Sequence, residues 1–446
     1  MQRTEKYSKI RKHKSFELEV FMKALQKKNY AMLILEGALV GILAGLAAVL
    51  YRYLLTWAES GLYTVLDFIR NKPLYVVLWF CILIVLGLLV GVIVRWEGMA
   101  SGSGIPQVSG ELKGQLNPSW WRVLIAKFTG GTLSILGGLS LGREGPSVQL
   151  GAMTAKGYAR LTKKEQSTEG VLISSGAGAG LAAAFNAPLA GILFILEEIH
   201  HAYDKTLLIS GLTATVVADF ISKLFFGQNV IFTYPGSTVP LSQYWLLLLF
   251  GILLGLAGAF YNFFMLKVQG LFQCMKKIPL PIRIVIPFLL AGILGLILPQ
   301  VLAGGHSMVI LLENGHPAIS LLVLLLLVKF VFSAISFGSG APGGIFFPLL
   351  VLGSYIGAIY GDLSIQIFGL SDALWSQFII LGMAGLFSSI TRAPLTGVIL
   401  IAEMSGSIHR FLDIGVVCML SYATANLLGS KPIYDSLLDN ILKNKR

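Results

Sequence analysis

The chain has 446 residues, 55% of them hydrophobic and 13% charged, with a formal net charge of +12 and a mean hydropathy of +0.77. Soluble domains carry about 45–50% apolar and about 25% charged residues, so this composition excludes an ordinary water-facing surface. It predicts one all-α polytopic membrane unit in place of the two or three soluble domains that length alone suggests.

Residues 1–30 hold nine Lys or Arg against three Glu, half of the basic excess. By the positive-inside rule this N-terminal segment is cytoplasmic, and beside an apolar span its basic charge implies anionic lipid and not nucleic acid. The first apolar run starts only at Ala31, after a long polar lead, so no cleavable signal peptide is expected. Residues 31–446 then form the transmembrane domain, with long, nearly uncharged stretches at 74–96, 244–266, 284–303 and 321–335. Several reach the roughly 20 residues a helix needs to cross hydrocarbon, and alternation of period 2 is absent, which disfavours a β-barrel. The C-terminal LKNKR is basic and predicted to lie inside as well.

Cys81, Cys274 and Cys418 are scattered and read as small hydrophobes of helices. His200 and His201 end an apolar run, where an interfacial position is expected in place of a metal site. GSGIPQVSG and GAGAG superficially suggest phosphate loops, but no strand precedes them and no Lys-Ser/Thr follows. No metal, cofactor or nucleotide signature stands out.

The chain repeats itself in two places. APLAGILFILEE (187–198) aligns with APLTGVILIAEM (393–404), and GREGPSVQLG (142–151) with GIFFPLLVLG (344–353), at nearly one offset. Repeat halves of about 31–225 and 240–446 point to a transporter or channel, its site lying where Gly/Pro-interrupted helices of the two halves meet. Proline suits the first turn of a helix, so helices are predicted to start near Pro146 and Pro348. A helix that starts inside the membrane aims its first N–H groups, and about half a positive charge, at whatever lies ahead. Unmet donors are costly in hydrocarbon, and an anion is their natural guest. ASGSGIPQ (100–107) offers a third start, with Ser103 as a hydroxyl donor and Pro106 in the first turn.

GSGIP (102–106), GREGP (142–146), GIFFP (344–348) and GSKPIY (429–434) together resemble, in order and spacing, the anion-site motifs of the CLC family of chloride channels and chloride/proton exchangers. The resemblance covers nearly the whole chain from about residue 31. It implies that the hydroxyls of Ser103 and Tyr434 and the backbone N–H groups of Ile345 and Phe346 hold a central chloride. It implies too that Glu144 is the external gating glutamate and Glu198 the inner proton-transfer glutamate of exchangers. The implied architecture is a homodimer with one anion pathway per subunit, each subunit made of two inverted repeats of tilted, broken helices. Phe347 departs from the small residue that many relatives carry before the motif's proline, which touches pore detail and not the family.

A carboxylate at Glu144, among helix N-termini, finds the same donors as chloride, so the two negative species compete for one place. Once protonated it no longer needs that place and swings out, which makes it gate and proton carrier in one. Arg143 is expected to bond loop carbonyls, because direct contact would over-stabilise the ion. Glu197 has a repeat mate in Glu403, and both are expected to serve structure. Glu198 aligns with Met404, an acid the scaffold does not require, and an intramembrane acid is a site hypothesis by default. Glu36, Arg52, Lys127, Asp219, Lys329 and Arg392 are expected in salt bridges or snorkelling to the interface.

The expected function is secondary active chloride/proton antiport in a plasma or bacterial inner membrane. A passive voltage- or pH-gated chloride channel of the same fold is the alternative. An intramembrane enzyme built on Glu197 and Glu198 is the third reading. Adjacent helical residues point about 100° apart and do not converge on one substrate atom, so no enzyme is expected. The sequence ends twelve residues after Tyr434, so no regulatory nucleotide-binding module and no ATP sensing are expected.

Overall fold

The computed structural model describes residues 30–445 apart from Asn71, residues 235–237 and Lys276. The basic segment 1–29 and Arg446 lie outside the described residues. A first series of helices, α1 (Tyr30–Arg70), α2 (Val76–Trp96), α3 (Ile105–Leu112), α4 (Trp120–Leu136), α5 (Glu144–Leu161), α6 (Gln166–Phe185), α7 (Pro188–Phe194) and α8 (Lys205–Phe226), is followed by a second of the same order. The second comprises α9 (Tyr244–Cys274), α10 (Leu280–Ile297), α11 (His306–Glu313), α12 (Ile319–Gly338), α13 (Phe346–Phe368), α14 (Trp375–Thr391), α15 (Pro394–Ser405) and α16 (Phe411–Leu427). Helix α17 (Ile433–Lys445) closes the chain. Each series opens on its longest helix and has an eight-residue helix third.

Among the described residues eight helices are long and apolar enough to span a membrane: α1, α2, α8, α9, α10, α12, α13 and α14. Helices meet that solvent because every interior backbone bond closes within the segment. The spanning window of α14 is 89% buried and that of α2 only 33%, which puts α14 at the centre and α2 against lipid. At the centre α5 lies on α6, and α13 on α14, at glycine contacts. A methyl on Gly151 would strike the Gly176 carbonyl, and one on Gly353 the Gly382 carbonyl. Lipid supplies no hydrophobic drive between helices, so such close backbone approach is how they associate.

Reciprocal bonds join the halves. Glu197, on the turn after α7, accepts from Leu395 N (3.1 Å) and Thr396 N (2.8 Å) at the start of α15. Glu403 on α15 accepts from Leu189 N (3.1 Å) and Ala190 N (2.9 Å) at the start of α7. Each carboxylate satisfies orphan donors of the other half's helix, the pattern of two units related by a twofold rotation.

One boundary differs from the sequence reading, and one turn breaks the match between the halves. The stretch 284–303 is not one helix: α10 starts earlier, with a proline in its first turn, and Pro299 opens a 3₁₀ turn, Pro299–Val301. Proline presets φ for a helix start and cannot donate further along. Helix α7 runs into a π-helical turn, Ile195–His200, whereas its mate α15 stays α-helical to Ser405. Cys81 and Cys274 are exposed and Cys418 buried, all three free. Glu36 pairs with Lys164 (2.7 Å) and Asp219 with Lys223 (2.6 Å), both in salt bridges as expected.

Candidate functional site

The loops ahead of α5 and α13 pair with each other. Gly142 N donates to Gly344 O and Gly344 N to Gly142 O, both at 2.7 Å, an isolated antiparallel bridge that sets two helix N-termini side by side. The 100–104 loop joins them, because Gly343 N donates to Gly102 O (3.0 Å) and Gly145 lies against the Ser103 side chain, where a methyl would collide. Lys127, wholly buried, fixes that loop by donating to Ala100 O (2.7 Å) and Gly102 O (2.8 Å), and Gln149 Nε2 donates to Met99 O (2.8 Å). Gly104 at φ +96, a conformation glycine adopts without cost, turns the chain into α3, and Ile105 N reaches back to Ser103 Oγ (3.3 Å).

Glu144, the first residue of α5, is wholly buried. Its carboxylate faces the backbone N–H groups of Phe347, Arg143 and its own residue, yet neither oxygen makes a well-formed hydrogen bond. Oε2 lies where a methyl on Gly142 would also meet Phe347 N and Pro348, so the acid sits at the mouth of α13. Ile345 caps that helix and Phe346 is its first residue, positions whose N–H groups have no intrahelical acceptor. The Phe346 ring is held by Phe387 (centroids 4.6 Å apart), Phe185 (4.9 Å) and Phe194 (6.0 Å).

Tyr434, the second residue of α17, carries a buried hydroxyl with no hydrogen-bond partner. Its ring stands edge-on to Phe194 at 6.2 Å, the ring that also meets Phe346, and it lies within electrostatic reach of Glu198, Tyr261 and Glu144. Arg392 Nη2 donates to Ser430 O (2.7 Å) and Asn262 Nδ2 to Lys431 O (3.1 Å), which fixes the GSKPIY loop. Ser103 borders a cavity of about 310 Å³ that Gln107, Phe337 and Leu437 also line. Ser103, Glu144, Ile345, Phe346 and Tyr434 thus converge through shared neighbours. Glu198 is set apart, buried on the π-helical turn with Oε1 unpartnered, under the charges of Asp435, Glu197 and Lys113.

Several expectations are corrected here. Arg143 makes no bond to a loop carbonyl: its Nε lies 3.7 Å from Glu144 Oε1 and has no hydrogen-bond partner. The negative charge of the buried carboxylate beside it is the stronger attraction for the guanidinium. Among the described residues Lys127 and Lys329 have no salt-bridge partner, and both are buried and do not snorkel. Lys329 donates to Val301 O and Ala303 O, both at 2.9 Å, so each lysine caps carbonyls that a broken helix leaves open. Arg392 acts likewise on Tyr422 O (2.9 Å) and Ser430 O, and the Arg52 guanidinium lies 3.9 Å over the Phe226 ring. The residues that sequence reasoning missed are Phe347, through its N–H, and Tyr261, whose buried hydroxyl is also unpartnered. A tyrosine beside Asn262 in an otherwise apolar helix was the available signal.

Doubled halves whose broken helices meet at a dry, donor-lined point define a polytopic membrane protein of the transporter and channel class. The profile of the voltage-gated chloride channel family matches residues 86–426, and the chain belongs to that family, the CLC proteins. It is 34% identical over 425 residues to the H(+)/Cl(-) exchange transporter ClcA of Vibrio parahaemolyticus, covering 93% of this chain and 90% of that protein. It is also 34% identical over 418 residues to the ClcA of Klebsiella pneumoniae, covering 91% and 88%. Among solved structures, a slow cyanobacterial Cl⁻/H⁺ antiporter superposes with a TM-score of 0.88 at 30% identity, covering 93% of this chain and 99% of that one. A CLC-type fluoride/proton antiporter, 23% identical with a TM-score of 0.76 over 92% and 98%, shares the fold. The fold is that of two inverted repeats of tilted, broken helices.

Proposed function

We propose that the chain is a secondary active antiporter that moves chloride and protons in opposite directions across a membrane, without ATP and without chemistry on a substrate. The observation that carries this reading is the Glu144 carboxylate, wholly buried at the mouth of α13 and short of hydrogen bonds. The named activities of the ClcA relatives support it.

In this reading Ser103 Oγ, Tyr434 Oη and the N–H groups of Ile345 and Phe346 replace the hydration shell of chloride. Neutral donors suit an ion that must also leave, and the hydroxyl of Tyr434 has no other partner in place. Glu144 is the rival occupant: ionised, it takes the amides at the start of α13, and protonated, it withdraws with its proton and admits chloride. Glu198 hands protons to it from the other side. The protein works as a homodimer with one pathway per subunit, in a bacterial inner or plasma membrane with both termini cytoplasmic. Exposed leucine, valine and isoleucine along α1, α2 and α9 supply lipid-facing surface.

The test is a chloride gradient across liposomes holding the purified protein. Protons driven uphill against chloride flow support exchange. Chloride flux with no proton movement makes the protein a passive channel, and no flux of either kind removes the transport reading.

A further inference from the structure

The proposed route for protons reaches Glu198, but Glu198 is buried, with 4% of its surface exposed, and something must bring protons to it. We infer that His201 and Asp435 form the proton-loading station on the proposed cytoplasmic face, with the His201 imidazole as carrier and Asp435 as its fixed counter-charge. The inference rests on the antiport reading above.

His201 caps the π-helical turn that bears Glu198, three residues on. Its Nδ1 lies 2.9 Å from Glu197 O, a carbonyl that only accepts, so the proton of the neutral ring is held at Nδ1. The lone pair at Nε2 is left for a second proton. That nitrogen lies 3.8 Å from Asp435 Oδ2, and Lys113 Nζ lies 3.3 Å from Asp435 Oδ1, with all three side chains about a third or more exposed. Lys113, Asp435, Lys431 and Asp439 line a solvent-reachable cavity of about 310 Å³. His200, by contrast, turns inward to Ser174 Oγ (2.8 Å).

The charged and titratable groups around His201 are Glu197, Glu198 and His200 on its own turn and Asp204 beyond it. Asp435 on α17 faces it, with Lys113 from the end of α3 on the other oxygen of that carboxylate, and Lys431 and Asp439 line the cavity beside Asp435. Asp435 lies within electrostatic reach of Glu198 and is the chain neighbour of Tyr434, so the station joins the elements that carry both ion sites. In the loading step an O–H bond of hydronium breaks and an N–H bond forms at Nε2, leaving water. The imidazolium then gives that proton through intervening water to a Glu198 carboxylate oxygen and returns to the neutral ring.

The test is paired proton and chloride flux in liposomes, with both faces at one pH, for His201→Gln and Asp435→Asn. His201→Gln is expected to slow proton and chloride flux together, by several-fold at neutral pH, where free hydronium is scarce, and to recover as the solution is acidified and hydronium reaches Glu198 without a carrier. Asp435→Asn, which removes the counter-charge facing Nε2, is expected to slow both fluxes in the same direction by a smaller factor. The control is His201→Gln on a Glu198→Gln background, where protons no longer pass and chloride flux is expected to be unchanged. A fall in chloride flux there, or wild-type proton flux in His201→Gln at every pH, overturns the station. Absence of proton movement in the unmodified protein removes the antiport reading instead.

Discussion

Glu197 and Glu198 are neighbours in sequence with opposite surroundings, and replacing each in turn separates structure from transport. Glu197 accepts three hydrogen bonds, from Leu395 N (3.1 Å), Thr396 N (2.8 Å) and Thr396 Oγ1 (2.8 Å). A hydrogen bond to a charged group contributes about 1.5–3 kcal/mol, but Leu395 is exposed and Glu197 only half-buried. Glu197→Ala is therefore expected to cost about 3 kcal/mol, less than the full sum. Glu403→Ala, which removes two bonds, is expected to cost about 2 kcal/mol. Glu198 Oε1 has no partner, so Glu198→Gln removes an uncompensated acid and is expected to change stability by less than about 1 kcal/mol while abolishing proton movement and sparing chloride flux. The assay is thermal unfolding in detergent micelles beside paired ion flux in liposomes. If Glu198→Gln lowers the melting midpoint as far as Glu197→Ala, or if Glu197→Ala leaves it unchanged, the division of labour between the two carboxylates is wrong.

Glu144→Gln is expected to keep anion flux and lose proton flux, read in the same liposomes; loss of both contradicts the gate. Gly142→Ala places a methyl against Glu144 Oε2 and Phe347 N, and is expected to displace the acid and leave chloride flux with weakened proton coupling. Lys127→Met frees the carbonyls of Ala100 and Gly102, and is expected to weaken chloride binding about tenfold, or ~1.4 kcal/mol, by calorimetric titration. Lys329→Met, which frees the carbonyls of Val301 and Ala303 in the loop without a hydroxyl ligand, is expected to lower the melting midpoint and leave chloride affinity in place. His201, 3.8 Å away, and Lys113 hold the Asp435 carboxyl below the usual range. Its stabilising effect is thus complete above the unfolded value near ~3.9 and lost as pH falls through the lower folded value. The melting midpoint is expected to drop over that window, and Asp435→Asn to flatten the drop.

Much of this was readable before any coordinates. Apolar run lengths located α2, α9 and α12, and prolines 146 and 348 marked the starts of α5 and α13 to within two residues. The offset between APLAG and APLTG exposed the doubling, because helix starts need proline and close helix contacts need glycine in both halves. Other features were hidden for physical reasons. Lys127 and Lys329 read as interfacial charges, since sequence does not show that a broken helix nearby leaves carbonyls to cap. Arg143 reads as a partner of carbonyls because the burial of the Glu144 carboxylate beside it is a property of three converging loops. The π-helical turn after α7 has no sequence signature beyond its failure to match α15.

The doubled architecture separates scaffold from function through its own broken symmetry. Gly104 and Gly305 both turn with φ near +97, at +96 and +98. Lys127 and Lys329 both cap the loop before the third helix of their half, Glu197 and Glu403 exchange caps, and Gly142 and Gly344 exchange backbone bonds. A feature needed to stabilise a broken helix is needed twice, so it occurs twice. The side chains proposed to handle ions have no such mate. Glu144 stands opposite Phe346, Glu198 opposite Met404, Ser103 opposite Gly304, and Tyr434 lies beyond both series. Antiport requires this, because two equivalent acids on the repeat axis would give the proton the same route as the anion from both faces, with no residue to separate the paths. Giving Met404 a carboxyl is therefore the informative converse: Met404→Glu is expected to create a second buried acid without a proton route, lowering stability without adding proton flux. Gain of proton flux through that variant would show that the repeat itself, and not the unmatched residues, sets the pathway.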